Sequence, residues 1–106
     1  MKIESRVENA EKTKYFLLEG ELDVHQTKEL RFRLLDELEE SEWKYVLEMK
    51  GVTYLDSSGL GMLVYLKKEI VKRGGTLLLI SLKDSVLNVF KMTRLDSFFD
   101  ISYDDK

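Results

Sequence analysis

The residues best equipped for chemistry gather in one stretch, Asp56-Ser57-Ser58-Gly59-Leu60-Gly61. It sets a carboxylate, hydroxyls and glycines between an apolar run ending at Tyr54-Leu55 and an apolar-periodic run from Leu60 to Val71. The junction reads as the first turn of a helix, where backbone N–H groups lack internal partners and favour oxygen acceptors and negative charge. A helix cap, a nucleophile and an acceptor for a phosphoryl group all fit such a turn. A cap needs one polar residue, so a run of Asp-Ser-Ser followed by Gly-Leu-Gly invites a functional reading as well.

Each chemical use can be weighed on residue types. Ser57, His25 and Asp23 or Asp56 supply the groups of a hydrolase triad. The only histidine, however, stands early in an amphipathic segment, and the serine lacks the G-x-S-x-G elbow that would expose it on a strained turn. Anion binding by Gly59-Leu60-Gly61 is a weaker signal, because neither G-x-x-x-x-G-K-[ST] nor G-x-G-x-x-G is present. One histidine and scattered carboxylates give no metal-ligand spacing, and without cysteine there is no thiolate chemistry or disulfide. No cofactor is expected.

The elements that must position this stretch follow from periodicity. Ile3, Ser5 and Val7 alternate with charged residues as an opening strand, Asn9 to Thr13 turns, and Tyr15 to Leu22 returns, so the first strand should be antiparallel at a sheet edge. Leu30, Leu34, Leu35 and Leu38 share a face, which predicts a helix from about Val24 to Glu40 with Asp23 or a neighbour as cap. Tyr45 to Met49 and Val52 to Leu55 read as strand segments separated by a bend at Gly51. A second helix is predicted from Ser57 to about Arg73, with Leu60, Leu63, Val64, Leu66, Ile70 and Val71 inward and Gly74-Gly75 ending it. Lys67 falls within that face, and its stem is expected to lie on apolar surface with the ammonium in water. Thr76 to Ser81 is apolar without alternation, as in a central strand covered on both faces. Asp84 or Ser85 caps a third helix carrying Val86, Val89 and Phe90, and Leu95 to Ile101 closes the core before the tail Asp104-Asp105-Lys106.

Alternating strands and helices predict a single α/β domain spanning residues 1–106, with a mainly parallel sheet. Function should then lie in the loops beyond the carboxyl ends of the parallel strands: Gly20 to His25, Gly51 to Gly61 and Leu82 to Ser85. A net charge of −3, with basic residues interspersed among acids, argues against nucleic acid as a ligand. No leader pattern and no apolar run near the ~20 residues of a membrane span is present, so a cytoplasmic, membrane-independent protein is expected.

Asp56-Ser57-Ser58-Gly59-Leu60-Gly61 after Tyr54-Leu55 resembles the signature of the STAS domain of bacterial anti-sigma factor antagonists. Gly20-Glu21-Leu22-Asp23 with Thr27, and Lys72-Arg73-Gly74-Gly75 before an apolar strand, are similar to that family's other recurrent segments. The resemblance implies a mixed, mainly parallel sheet of about four to five strands packed with about four helices, the N-terminal strand antiparallel. It also implies that Ser57 is phosphorylated by an ATP-using anti-sigma factor kinase and dephosphorylated by a PP2C-type serine phosphatase. On this reading the chain is not an enzyme, and it is a monomer or weak dimer. Asp23, Asp56, Ser57, Ser58, Gly59, Met62 and Tyr65 are the expected docking residues, with Met62 and Tyr65 turned away from the core, Asp56 the local electrostatic partner and Ser58 the cap. The alternatives are an unmodified STAS scaffold or accessory subunit and a nucleotide-binding STAS module. Two departures from the family pattern stand out: Arg94, within Thr93-Arg94-Leu95, occupies a turn position where the family often has glycine, and Val24-His25 follows Asp23.

Overall fold

Along most of their length the central strands alternate between a buried and an open face. In the computed structural model, which describes residues 1–103, strands β1 (Lys2–Glu8), β2 (Thr13–Leu22), β3 (Lys44–Leu55), β4 (Thr76–Ile80) and β5 (Asp100–Ser102) form one sheet in the order β1-β2-β3-β4-β5. The β1-β2 pair is antiparallel and the other pairs are parallel. Helices α1 (Thr27–Asp36), α2 (Ser57–Lys72) and α3 (Asp84–Met92) fill the crossovers. Because the parallel strands advance in one direction across the sheet, right-handed crossovers bring every helix to the same face. There Phe16, Leu18, Tyr45, Leu47, Leu77 and Leu79 are buried with Leu34, Leu63, Leu66, Ile70 and Phe90 of the helices.

The opposite face is open: Leu17 and Leu78 are 41% and 36% exposed. This corrects the reading of Thr76 to Ser81 as covered on both sides. Its apolar outer residues lie on a face that no helix among the described residues crosses, although β3 and β5 do flank it. Three α-helices are present among the described residues instead of about four, the last segment forming a 3-10 turn at Leu95–Ser97 and then β5. Residues 44–55 form one strand and not two segments, but the irregularity expected at Gly51 is there: against β2, strand β3 carries one extra residue between Glu48 and Gly51 and another between Val52 and Tyr54. The expected tail, Asp104 to Lys106, lies outside the described residues.

Helix α1 is shorter than expected at both ends for identifiable reasons. At its start, the Asp23 carboxylate accepts from the His25 and Gln26 N–H groups at 3.0 and 3.2 Å, folding Val24 to Gln26 into a turn. At its end, the Glu37 carbonyl accepts from the buried Lys14 ammonium, whose second partner is Glu39 at 2.8 Å. The Glu39 N–H donates to the Tyr45 hydroxyl at 2.7 Å, which draws the chain away from the helix axis. These bonds dock the α1–β3 connection onto the sheet.

Helix α2 ends as expected. Gly74 adopts φ +82°, and the N–H groups of Gly74 and Gly75 donate to Val71 and Ile70 at 2.9 Å, the double bond of a Schellman motif. Val71, placed inward by the periodicity, is 55% exposed: in this last turn it is the neighbouring Ile70, fully buried, that faces the core. Lys67 differs too: its ammonium donates to the Phe98 carbonyl and sits 4.6 Å from the Phe98 ring centre, so it binds the C-terminal segment. Arg94 takes the left-handed conformation, φ 62°, so the turn forms there without glycine.

Candidate functional site

Two loops meet at the carboxyl ends of β2 and β3. Leu22 and Leu55 pair in register, so Asp23 and Asp56 leave the sheet side by side. The Asp56 N–H donates to the Leu22 carbonyl at 3.2 Å, tying one loop to the other. Backbone geometry, more than attraction between side chains, thus brings the expected site residues together.

Asp56 has extended dihedrals, φ −111° and ψ −173°, and its carboxylate accepts from the Gly59 N–H at 3.0 Å. It is therefore the N-cap of α2, and the expectation that Ser58 caps the helix is corrected. A cap side chain reaches forward to the N2 or N3 amide, and from the position before the first turn Asp56 alone has that reach. Ser57, the first residue of α2, is exposed, whereas Ser58 is half-buried. Asp23 is also half-buried, its carboxylate held by its own turn.

Gly59 is buried, and its lack of a side chain is a packing requirement. A Cβ there would lie 2.4 Å from the Leu22 carbonyl oxygen and 2.8 Å from a Leu55 methyl. A buried glycine offers no surface to a partner, so its place in the site is to let α2 approach β2. Met62 was expected to point away from the core and is instead 5% exposed, because α1 packs beside α2 and covers that flank. Tyr65 is 41% exposed, as expected.

Between α1 and α2 runs a shallow groove of about 420 Å³ lined by Thr27, Lys28, Arg31, Ser58, Gly61, Met62 and Tyr65. The Arg31 guanidinium lies 5.3 Å from the Tyr65 ring centre. Lys28 and Arg31 are absent from the site read in the sequence. The available signal was their position within a turn or so of Thr27, itself in the recurrent segment. Val24 and Tyr54, 61% and 49% exposed beside Asp23 and before Leu55, were missed as well. His25 is exposed, and among the described residues no hydrogen bond joins it to Ser57.

Comparison with known proteins places this geometry. The STAS domain family model matches residues 4–105. The chain belongs to the STAS domain family. It is 37% identical over 83 residues to the anti-sigma-B factor antagonist of Bacillus subtilis (strain 168), a match covering 78% of this chain and 75% of that one. The STAS fold is shared with an anti-sigma factor antagonist from Mycobacterium paratuberculosis, at a TM-score of 0.79 and 20% identity over 97% of this chain and 87% of that one. It is also shared with phosphorylated SpoIIAA of Bacillus, at a TM-score of 0.66 and 18% identity over 98% and 94% of the two chains. In this STAS domain the Asp56 to Gly61 signature is therefore the capped start of α2, with the first serine outward and the glycine after the second inward.

Proposed function

We propose that this STAS domain is an anti-sigma factor antagonist acting in the cytoplasm, and that it is switched by phosphorylation of Ser57. Unmodified, it docks on an anti-sigma factor with serine-kinase activity and so releases a sigma factor. The observation that carries this reading is the exposed hydroxyl of Ser57 on the first turn of α2, beside a carboxylate already committed to capping. A kinase can reach such a hydroxyl without unfolding anything. Tyr65, Val24 and Tyr54 around it supply apolar contact, and Lys28 and Arg31 supply charge. Gly59 and Met62 support this surface from below.

Phosphorylation adds about −1.5 to −2 charges. The unpaired N–H groups at the start of α2 tolerate that charge within the free domain. The same charge, added to Asp23 and Asp56, opposes re-docking on an acidic partner surface, so release needs no change of fold. A PP2C-type phosphatase would reset the switch.

The test is intact-mass spectrometry after incubation with ATP and a kinase-type anti-sigma factor. One added phosphate mapped to Ser57, absent in Ser57→Ala while partner binding persists, is the expected result. Modification at Ser58, or partner binding with no modification by a kinase shown to be active, would overturn the switch and leave an unmodified scaffold.

A further inference from the structure

Among the described residues, strand β1 is a free edge. Its seven residues pair with β2 on one side only, and all but Ile3 are exposed. Alternate N–H and C=O groups of such an edge point outward without partners, a template for pairing with another chain. The other edge strand, β5, has only three residues.

The sequence of β1, Lys2-Ile3-Glu4-Ser5-Arg6-Val7-Glu8, is self-complementary. Two copies laid antiparallel about a twofold axis at Ser5 set Lys2 opposite Glu8, Glu4 opposite Arg6 and Ile3 opposite Val7. Every charged pair is of opposite sign and the remaining pair is apolar, the combinations that favour cross-strand pairing. The neighbouring registers fail. A slip of the axis to Glu4 sets Glu4 against Glu4 and Lys2 against Arg6, and a slip to Arg6 sets Arg6 against Arg6 and Glu4 against Glu8. Registers offset by one residue exchange the faces of the sheet. Parallel pairing in register would stack like charges throughout.

We propose that β1 is a homodimerisation edge, joining the sheets of two copies into one continuous sheet about a twofold axis at Ser5. The pairing accounts for Val7, an apolar residue left 44% exposed on the helix side of the edge, by giving it Ile3 of the second copy as a neighbour. It also gives the exposed Lys2 and Glu4, 3.5 Å apart within one chain, a second partner each. The interface is isologous, so it closes at two copies and does not propagate through β1.

The absence of cysteine makes the test clean. In Ser5→Cys the two thiols face each other across the axis, where facing Cα atoms stand about 4.5 to 5.5 Å apart, within disulfide reach. Mild oxidation should give a covalent dimer, whereas Glu8→Cys, with its two sulfurs separated by about 20 Å of strand, should give little. In sedimentation velocity, Glu4→Arg or Arg6→Glu alone should weaken self-association about tenfold or more by setting like charges opposite. Combining both in one chain, or mixing the two single variants, should restore it, with circular dichroism confirming that each variant is folded. Absence of self-association in the unmodified chain at millimolar concentration would overturn the proposal. So would cross-linking no faster at Ser5→Cys than at Glu8→Cys, or failure of the combined charge reversal to recover.

Discussion

Replacing each of the two glycines of the signature by alanine should move stability in opposite directions. At Gly61 an added Cβ meets no atom within 4 Å. Its only effect is on the backbone, and alanine in a helix is favoured over glycine by about 1 kcal/mol. At Gly59 the same Cβ would lie 2.4 Å from the Leu22 carbonyl oxygen, 2.8 Å from Leu55 Cδ1 and 2.9 Å from Leu22 Cβ. The nearest of these is backbone, so no rotamer change relieves it. Overpacking costs about 1–3 kcal/mol, and a 2.4 Å approach to a backbone atom belongs to the upper part of that range, about 2–3 kcal/mol; the gain of about 1 kcal/mol in helix propensity then leaves a net loss of about 1–2 kcal/mol. For a domain of this size 1 kcal/mol corresponds to about 4–8 °C in Tm. Gly61→Ala should therefore melt about 4–8 °C above the unmodified protein and Gly59→Ala about 5–15 °C below it. Because the Leu22 carbonyl also accepts the Asp56 N–H, the displacement in Gly59→Ala should reach the tie between the site loops. Thermal unfolding followed by far-ultraviolet circular dichroism gives both values. Shifts of the same sign in the two variants, or a Gly59→Ala protein at least as stable as the parent, would refute the close approach of α2 to β2.

Asp56→Ala should cost about 1 kcal/mol through loss of the cap, while Ser58→Ala should stay within about 0.5 kcal/mol of the parent; a larger loss at Ser58 in urea titrations would reverse the cap assignment. Tyr45 is 2% exposed, and burial raises its pKa above 10.0, against the Glu39 N–H bond, which favours the phenolate. Above pH 10 the unfolded chain gives up this proton while the folded chain keeps it, so the contribution is complete below pH 10 and lost as pH rises through the folded pKa. The stability difference between the parent and Tyr45→Phe should be flat below about pH 10 and shrink above it in urea titrations; parallel curves to about pH 11 would remove the linkage.

The parts of the fold readable in the sequence are those fixed by local pattern. The β1 edge, the start of α2 and the glycine stop after Arg73 rest on alternation, capping chemistry and φ > 0, each of which acts over a few residues. The errors lie where a distant residue decides. Nothing near Glu37 or Glu39 in sequence reveals that Lys14 and Tyr45 will take their backbone groups and end α1 early. Leu78 looked buried on both sides because its strand is uniformly apolar, yet which face is covered depends on the order of all five strands. The site divides in the same way. Ser57 and Asp56 were legible as a helix start, whereas the burial of Met62 and the inclusion of Lys28 and Arg31 follow from α1 lying against α2.

The strand order also bears on what kind of site this is. In open α/β sheets, small ligands sit in the crevice formed where the strand order reverses and adjacent crossovers diverge to opposite faces. Here β2, β3, β4 and β5 follow one another across the sheet, and β1 joins by a hairpin that holds a 3-10 turn, Asn9–Glu11, and no α-helix. Every crossover stays on one face, so no such crevice opens above Asp23 and Asp56. What the chain presents there is a helix start with its first hydroxyl outward, a shallow groove and exposed aromatic and basic side chains. A surface of this shape has little enclosed volume with which to exclude water from a small substrate, but it can lie flat against another protein. The topology thus supports the proposed use of this end of the sheet as a docking surface.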